Sequence, residues 1–367
     1  MRRLLGRLSW MFWLAPLGFI LVQLGASRPQ WVEKGFSQAF FPLVNRPLSR
    51  LTGLFPFSLA EIVVVAILLA VPATTARALY LLLVRRSSLH WGRLALRVLA
   101  AACLAYFAFI LLWGLNYCRL PFAELAGLPV EPSPLAELAE LYAELVDQTN
   151  ALRRLVEEDA AGVMRLANGK QDALRRAPCG YEAAAARYPY LGGDYGRPKG
   201  VMLSHPWSYT GTAGMYFPFT AEANVNLAMP DWPIPFTACH EMAHQRGFAR
   251  EDEANFIAWL VCTAHPDPDF QYSGTLSAMI RVGSQLRQRD AARYQEITSG
   301  IDAAVRRDLA ALQEFWSRYS GVVEQVSRQV NDAYLKANRQ RDGIQSYGRM
   351  VDLLLAQRRL GKGPTGG

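Results

Sequence analysis

Two histidines and a glutamate in this chain have the spacing of residues that perform metal-dependent hydrolysis. The segment His240-Glu241-Met242-Ala243-His244 follows the pattern HExxH. On a helix, His240 and His244 lie one turn apart on the same face, so both imidazoles can bind one metal ion. Glu241 is then placed to take a proton from a water that the metal activates. The pattern predicts a zinc site with Glu241 as its general base.

A catalytic zinc site normally has three protein ligands, so one further donor is required. Pro235 to Arg246 is predicted to form a first helix, and Gly247 a sharp turn after it. A second helix is predicted from Arg250 to Ala264. A helix-turn-helix of this kind can fold the second segment back onto the metal.

The second helix begins with three acids, of which Glu253 is the predicted third ligand. Glu253 lies within an apolar stripe of that helix. A carboxylate on a buried face is costly unless it is paired or bound to a metal. Glu251 and Asp252 are instead predicted to be first-turn acids that point to the sides or to solvent, where the helix dipole favours them. The alternative for Glu253 is an ordinary solvated helix acid.

The metal motif and the helix after it resemble known metallopeptidases. HExxH followed by EDEANFIAWL resembles the gluzincin peptidases, and it is similar to the ImmA/IrrE-type and membrane-bound M48 classes. The gluzincin resemblance implies that the Glu before the Ala, here Glu253, is the third ligand. Asn255 stands where the M48 enzymes carry Asp, so it could orient a ligand histidine only as a neutral amide.

In overall layout the chain resembles the bacterial membrane family called domain of unknown function 3810. The resemblance spans most of the chain and includes PFTAEANVN before the metal motif and NDAYLKANRQRDGIQSYGRMVDLLL near the C-terminus. It implies a zinc metallopeptidase-like membrane protein, and it brings no established substrate.

Three apolar segments are long enough to cross a bilayer as helices: Trp10 to Ala26, Leu59 to Val84 and Leu94 to Leu115. The first could alternatively be a signal peptide, because arginines precede its apolar run. Its residues make a poor cleavage site, so an uncleaved membrane anchor is favoured.

The predicted fold class is a mainly α membrane protein, with three transmembrane helices followed by a helix-rich, zincin-like metallopeptidase domain that has a small β-sheet. Residues 1–115 would form the membrane domain, 116–360 the extracytoplasmic domain and 361–367 a disordered tail. A helix is predicted from Pro132 to about Ala167, and a loop from Pro178 to Thr212. Four cysteines outside the spans are compatible with disulfides or with buried thiols: Cys118, Cys179, Cys239 and Cys262.

The formal net charge of +8 is concentrated beside the predicted spans. Residues 1–115 contain 12 Lys and Arg against 2 acids, whereas the rest of the chain contains 27 against 29. Basic residues before the first span and between the second and third mark these segments as cytoplasmic, although the loop between the first two spans is also basic. Everything after Leu115 would then lie outside the cytoplasm, at the bacterial inner membrane. The lipid bilayer explains the basic excess, and a nucleic-acid partner is not expected.

One strand is predicted before the metal helix, from Met215 to Asn226. Such a strand could pair with an extended peptide substrate, with Glu222, Asn224 and Asn226 on one face, where they could contact the substrate or brace the site. A plain polar sheet edge is the alternative. Peptide hydrolysis also needs a donor to the oxyanion. The candidates by residue type are His205, Tyr209, Tyr216 and Tyr347.

Together these features predict a membrane-anchored zinc metallopeptidase that hydrolyses a peptide or protein at the external membrane surface. Zinc on His240, His244 and Glu253 would lower the pKa of a bound water. Glu241 would accept the proton of that water and pass it to the leaving amine. The alternative is a non-catalytic scaffold or assembly factor with a closed structural zinc site, in which a fourth ligand such as His205 replaces the water.

Overall fold

The structure is a computed structural model that describes residues 8–83, 91–338, 340 and 349–362. Within these residues, helices account for most of the chain and the strands are short. The predicted fold class, a mainly α membrane protein with little sheet, is therefore confirmed.

Three helices are long and apolar enough to cross a membrane, at Leu8–Ser27, Leu59–Leu81 and Gly92–Leu112. They coincide with the predicted spans, and a helix satisfies its own backbone hydrogen bonds within lipid. Their surfaces carry many exposed apolar side chains, which associates the chain with a membrane. The helices of this region are α1 (Leu14–Ser27), α2 (Phe41–Gly53), α3 (Leu59–Leu83) and α4 (Trp91–Leu112).

The segment between α1 and α2 is helical as well, with a turn at Pro29–Trp31 and a π-helix at Val32–Phe40. It belongs to the body of the protein, because the buried Glu33 forms an ion pair with Arg119 at 2.6 Å. After α4 the chain forms a 3₁₀ turn at Gly114–Cys118. The third span therefore ends slightly before its predicted boundary.

Most of the remaining described chain is a group of helices around α7. That helix contacts α6, α8 and α9, and nearly all of its residues are buried. Short helical turns lie at Phe122–Ala126, Pro189–Leu191 and Ser204–Ser208. The long helices are α5 (Leu135–Arg153), α6 (Gly169–Ala185), α7 (Pro233–Gln245), α8 (Glu251–Ala264), α9 (Pro268–Arg289), α10 (Ala291–Thr298), α11 (Ala303–Ser317), α12 (Val322–Ala337) and α13 (Met350–Lys362).

Two helix boundaries differ from the prediction. The helix expected from Pro132 to Ala167 ends at Arg153. The loop expected to begin at Pro178 is instead helix as far as Ala185. Buried side chains on both sides of Pro178 hold α6 in place, and their packing offsets the hydrogen bond that proline cannot donate.

The structure also bears on two smaller points, the start of the predicted tail and the state of the cysteines. Helix α13 extends to Lys362, so the predicted disordered tail does not begin at Gly361. Residues 363–367 lie outside the described residues. All five cysteines are free thiols, and only Cys179 is exposed. The four cysteines outside the spans are therefore not joined by disulfides.

Two small sheets are formed by the strands of the described chain. The first pairs β1 (Glu157–Glu158) with β2 (Met164–Arg165) in antiparallel fashion. In the second, β5 (Glu222–Val225) lies between the parallel β3 (Lys199–Gly200) and the antiparallel β4 (Gly214–Phe217). The single strand predicted before the metal helix is thus a hairpin of β4 and β5, with β4 at the edge.

Candidate metal centre

The HExxH residues lie on α7, and the two histidine side chains converge. Nε2 of His240 and Nε2 of His244 are 3.1 Å apart, as one helical turn allows. Nδ1 of His244 lies 2.7 Å from the carbonyl oxygen of Phe248. Because Nδ1–H donates to that oxygen, Nε2 of His244 carries the lone pair that can bind a metal.

The turn after α7 brings the start of α8 back to these histidines. Gly247 has a φ of +83°, in the left-handed region that favours glycine after a helix. A Cβ at Gly247 would also lie 3.0 Å from Oδ1 of Asn116. Helix α8 begins shortly afterwards at Glu251, so its first carboxylate reaches the histidine pair.

Glu251 provides the third donor at this centre. Its Oε2 lies 3.3 Å from Nε2 of His240, and its Oε1 lies 3.6 Å from Nε2 of His244. The ligand atoms of the three residues all lie within 4.8 Å of one another. Glu251 therefore occupies the position that sequence reasoning gave to Glu253.

Glu253 itself lies away from the histidines, which corrects its assignment as the third ligand. Its Oε1 accepts from the backbone N–H of Phe122 at 2.9 Å and from the guanidinium of Arg250 at 3.0 Å. Burial raises the pKa of Glu253, against the opposing effect of Arg250. The apolar stripe of α8 faces the protein core, whereas the histidines meet the first residue of that helix. Helical periodicity identified the buried face of α8 correctly, but it could not show that this face packs against the core rather than against the histidines.

The distances among the three donors fit a zinc ion. Two atoms that each lie about 2.0–2.1 Å from a tetrahedral zinc are roughly 3.3 Å apart. Nε2 of His240 lies 3.1 Å from Nε2 of His244 and 3.3 Å from Oε2 of Glu251, close to this value. The 3.6 Å distance from Nε2 of His244 is to the other oxygen of Glu251, Oε1. Two imidazoles and one carboxylate are also a donor set of catalytic zinc sites, in which a fourth position stays open. Both the donor chemistry and the spacing of His240, His244 and Glu251 therefore fit zinc.

Glu241 is buried beside the histidines and packs against the edge strand β4. A Cβ at Gly214 would lie 2.6 Å from Oε1 of Glu241, so glycine permits this close approach. Oε2 of Glu241 is buried and has no hydrogen-bond partner among the described residues. Burial raises the pKa of Glu241 to about 8, against the effect of His240. A buried oxygen without a partner is costly, and it suits a carboxylate that accepts a proton from a bound water.

The two histidines differ in their affinity for protons. Burial lowers the pKa of His244 to about 4, with the negative charge of Glu251 acting against it. Burial also lowers the pKa of His240, but its hydrogen bond with Glu251 and the charge of Glu241 outweigh this, so the net shift is upward. His244 is thus neutral near neutral pH, the state in which an imidazole binds a metal.

An aromatic side chain connects the metal centre to the end of the third span. Trp113 is the first residue after the span Gly92–Leu112. Its ring packs edge-on against the ring of His244 at 5.8 Å and lies 4.8 Å from the ring of Tyr216 in β4. The candidate metal centre therefore lies at the C-terminal end of α4, where the span ends. Sequence reasoning missed Trp113, although aromatic residues at the ends of spans are a known signal.

Comparison with known proteins gives one family. The profile described as "Protein of unknown function (DUF3810)" matches residues 36–355, a range that contains the whole metal centre. The chain belongs to this family. The resemblance seen in the layout of the sequence is thereby confirmed, whereas the family description names no activity. No curated protein and no solved structure matches the chain.

Of the predicted substrate contacts, Glu222 joins the sheet to the second span, and Asn224 holds the hairpin together. The carboxylate of Glu222 accepts from the backbone N–H groups of Leu59 at 3.1 Å and Ala60 at 2.7 Å. It also forms a buried ion pair with Lys199 at 2.5 Å. The negative charge thus caps the N-terminus of α3. The side-chain amide of Asn224 donates to two backbone carbonyls within the hairpin.

The predicted oxyanion donors are engaged elsewhere. The hydroxyl of Tyr216 donates to an asparagine side chain of α2 at 2.7 Å. Nδ1 of His205 lies 2.8 Å from the hydroxyl of Tyr319, and the ring of Tyr209 packs edge-on against the same tyrosine. Tyr347 lies outside the described residues. The described candidates are therefore held by other contacts, and the oxyanion donor is not identified among them.

Asn255 contacts an arginine that lies close to the metal centre. Its Oδ1 accepts from the guanidinium of Arg281 at 3.0 Å, and its Nδ2 has no partner among the described residues. The same guanidinium lies over the ring of Phe236 at 4.8 Å, and its charge contributes a lowering effect on the pKa of His240. Asn255 thus positions a positive charge near His240 and makes no hydrogen bond to the histidine.

A buried ion pair supports the turn between α7 and α8. Arg119 donates to both carboxylate oxygens of Glu33, at 2.6 and 3.0 Å. Its remaining guanidinium nitrogen donates to the carbonyl of Gly247 at 3.0 Å. Losing one partner of a buried pair costs about 3–5 kcal/mol. The segment between the first two spans therefore helps to fix the turn that brings Glu251 to the histidines.

Proposed function

We propose that this chain is a membrane-anchored, zinc-dependent peptidase with Glu241 as its general base. The observation that carries the proposal is the convergence of His240, His244 and Glu251 at separations suited to zinc, beside a buried carboxylate that has an unpartnered oxygen. The test is hydrolysis of a fluorogenic peptide by the purified full-length chain. Hydrolysis is expected with zinc bound and is expected to stop when a chelator removes the metal.

Different residues around the histidines would bind the metal, fix the histidine tautomer and transfer the proton. Zinc held by His240, His244 and Glu251 would supply a Lewis acid that acidifies water and polarises the substrate carbonyl. The carbonyl of Phe248 keeps His244 in the tautomer that binds a metal. Glu241 accepts the proton of the attacking water and passes it to the leaving amine. Because Glu241 is buried, its carboxylate is shielded from bulk solvent during this transfer.

Strand β4 offers a binding place for an extended peptide next to the general base. One edge of β4 pairs with β5, and β4 is the outer strand of its sheet within the described chain. Gly214 of β4 packs directly against Glu241. A peptide that added a strand along the outer edge of β4 would therefore pass close to the metal centre. This arrangement favours a peptide or protein substrate.

Contacts between the membrane spans and the domain favour a location of the metal centre outside the cytoplasm. The thiol of Cys118, after α4, donates to the carbonyl of Val22 near the end of α1 at 3.7 Å. Glu222 of the sheet caps the start of α3. The domain thus lies where α1 ends, α3 begins and α4 ends. The basic N-terminus and the basic loop after α3 would lie on the opposite side, which the positive-inside rule assigns to the cytoplasm of a bacterium.

Two basic residues between the first two spans are accounted for by contacts with the domain. Arg46 donates to the carbonyl of Gly192 at 3.4 Å. Arg50 forms an ion pair with Asp194 at 3.3 Å. These arginines belong to a folded surface, so they do not argue against a topology with three spans and an external domain.

Labelling of Cys179 from outside the cell is expected from this topology. Cys179 is the exposed member of the five free cysteines, and it lies on α6 of the domain. A membrane-impermeant maleimide added to intact bacterial spheroplasts should modify the wild type. The Cys179→Ser variant should stay unmodified and serves as the control. Modification of the wild type only after lysis would contradict the external location.

The alternative function, a scaffold with a structural zinc site, requires a fourth protein ligand. The candidate for that role, His205, is bonded to Tyr319 instead. The donor cluster among the described residues contains three side chains. These observations favour an open, catalytic arrangement over a closed one.

A further inference from the structure

Helix α12 carries an apolar stripe that no described part of the chain covers. Its members recur at helical spacing on one face. Their exposed fractions range from 52% to 75%. We call the following residues the valine stripe: Val322, Val323, Val326 and Val330.

The opposite side of α12 faces the protein. Leu335 is the fully buried residue of this helix, and it lies well over a quarter-turn from the valine stripe. The charged residues of α12 form two internal ion pairs, Glu324 with Arg328 and Asp332 with Lys336. Since these charges cancel, a partner of the stripe has to be attracted by apolar contact rather than by charge.

The C-terminal end of α12 lies beside the end of the third span. The ring of Tyr334 packs edge-on against the ring of Phe109 at 6.3 Å, and Phe109 lies in the last turn of the span Gly92–Leu112. The hydroxyl of Tyr117 donates to the hydroxyl of Tyr334 at 3.1 Å. This end of the helix is therefore at the level of the membrane surface.

The N-terminal end of α12 contacts a segment that also reaches the start of the second span. A Cβ at Gly211 would be 3.0 Å from Cγ of Glu324. An earlier part of the same segment, before the helical turn Ser204–Ser208, is tied to the first turn of α3, because the backbone N–H groups of Met202 and Leu203 donate to the carboxylate of Glu61. Met202 and Leu203 are themselves exposed. The C-terminal end of α12 thus contacts the third span directly, whereas its N-terminal end is linked to the second span through the segment from Met202 to Gly211.

We propose that α12 lies along the membrane surface between the second and third spans, with the valine stripe inserted in the lipid interface. An amphipathic helix with a continuous apolar face binds a bilayer in this way. The apolar surface of the spans is continuous with the stripe through Phe109 and Tyr334. Because the charges of α12 cancel, neutral zwitterionic lipid is sufficient. This inference depends on the spans and not on the proposed peptidase activity.

Lipid contact has a consequence for access to the metal centre. The hydroxyl of Tyr117 contacts that of Tyr334, and the ring of Tyr117 packs edge-on against Trp113 at 6.1 Å. Because Trp113 in turn packs against His244 at 5.8 Å, the C-terminal end of α12 lies close to the metal ligands. A helix held on the membrane at this place limits approach from the aqueous side near Tyr334. Substrates would then reach the edge strand β4 along the membrane surface.

The experiment measures the collision of spin labels with lipid-soluble and water-soluble reagents. Labels are placed by Val326→Cys and Val330→Cys in a full-length Cys179→Ser chain, with Gln325→Cys as the matched control on the exposed polar side of α12. The protein is reconstituted in nanodiscs of phosphatidylcholine. Oxygen partitions into lipid and a nickel chelate stays in water, so their relative accessibility reports on depth.

The expected result is a ratio of oxygen to nickel accessibility that is several-fold higher at positions 326 and 330 than at 325. Adding anionic lipid should leave this difference unchanged. Equal ratios at all three positions would overturn the proposal, because the stripe would face water. Protection of 326 and 330 from both reagents would also overturn it, since a second copy or another protein would then cover the stripe. A far-UV circular dichroism spectrum equal to that of the wild type confirms that each labelled chain is folded.

Discussion

Replacing Glu241 by glutamine is expected to abolish measurable peptide hydrolysis while zinc stays bound. Glutamine has nearly the same shape, so it fits the space beside Gly214 that the carboxylate fills. It cannot accept the proton of the attacking water, and general-base catalysis contributes about 10²–10⁴-fold to a rate. The three donors to the metal are other residues. The measurement is the turnover rate of each purified chain together with its zinc content.

A matched exchange at an exposed carboxylate serves as the control for Glu241→Gln. Glu314 forms a surface ion pair with Arg318 and is far more exposed than Glu241. Glu314→Gln should therefore keep both zinc and activity. Full activity in Glu241→Gln would show that another group takes the proton. Loss of zinc in that variant would show that Glu241 is a ligand instead.

Replacing Glu251 by glutamine is expected to remove most of the bound zinc, whereas Glu253→Gln should keep it. Oε2 of Glu251 lies 3.3 Å from Nε2 of His240, and its Oε1 lies 3.6 Å from Nε2 of His244. Losing a direct ligand should weaken zinc binding by more than the 10- to 100-fold that outer-shell changes cause. Glu253 lies against Phe122 and Arg250. Zinc content after dialysis against a weak chelator distinguishes the two variants.

Glu253→Gln has a different expected effect, on stability. Burial raises the pKa of Glu253 on balance, so folding disfavours its charged form, and the neutral glutamine removes that cost. Glutamine keeps an oxygen that can accept from the N–H of Phe122 and from Arg250. Thermal unfolding in detergent near neutral pH should therefore show a midpoint for Glu253→Gln that is no lower than that of the wild type, and a clearly lower midpoint would show that the charge of Glu253 stabilises the fold. Zinc loss in Glu253→Gln together with zinc retention in Glu251→Gln would reverse the ligand assignment.

The metal helix could be read from the sequence because its information is local. His240 and His244 lie one turn apart whatever surrounds them. The spans could also be predicted, since length and hydrophobicity alone decide whether a helix can cross a bilayer. The third ligand could not be predicted from the sequence in this way. Its identity depends on how the turn at Gly247 aims α8, and that turn is fixed by contacts with Asn116 and Arg119, which are distant in sequence.

The roles of the sheet residues also depend on distant parts of the chain. Glu222 belongs to an alternating row of polar residues that could face a substrate, yet its carboxylate caps α3. No local pattern connects the hairpin with the start of a membrane span. Trp113 is similar, because its position after α4 marks a membrane boundary but does not predict the contact with His244. Long-range packing, rather than residue type, decided these assignments.

The central claim, zinc-dependent peptide hydrolysis at His240, His244 and Glu251, is tested most directly by titrating the metal-free full-length chain with zinc. Hydrolysis of a fluorogenic peptide and bound zinc are measured on the same samples. Activity should rise in proportion to bound zinc and reach its plateau at about one ion per chain, as a single three-ligand site requires. A chain that binds one zinc ion and hydrolyses no peptide, or that hydrolyses peptide equally well without zinc, would contradict the claim.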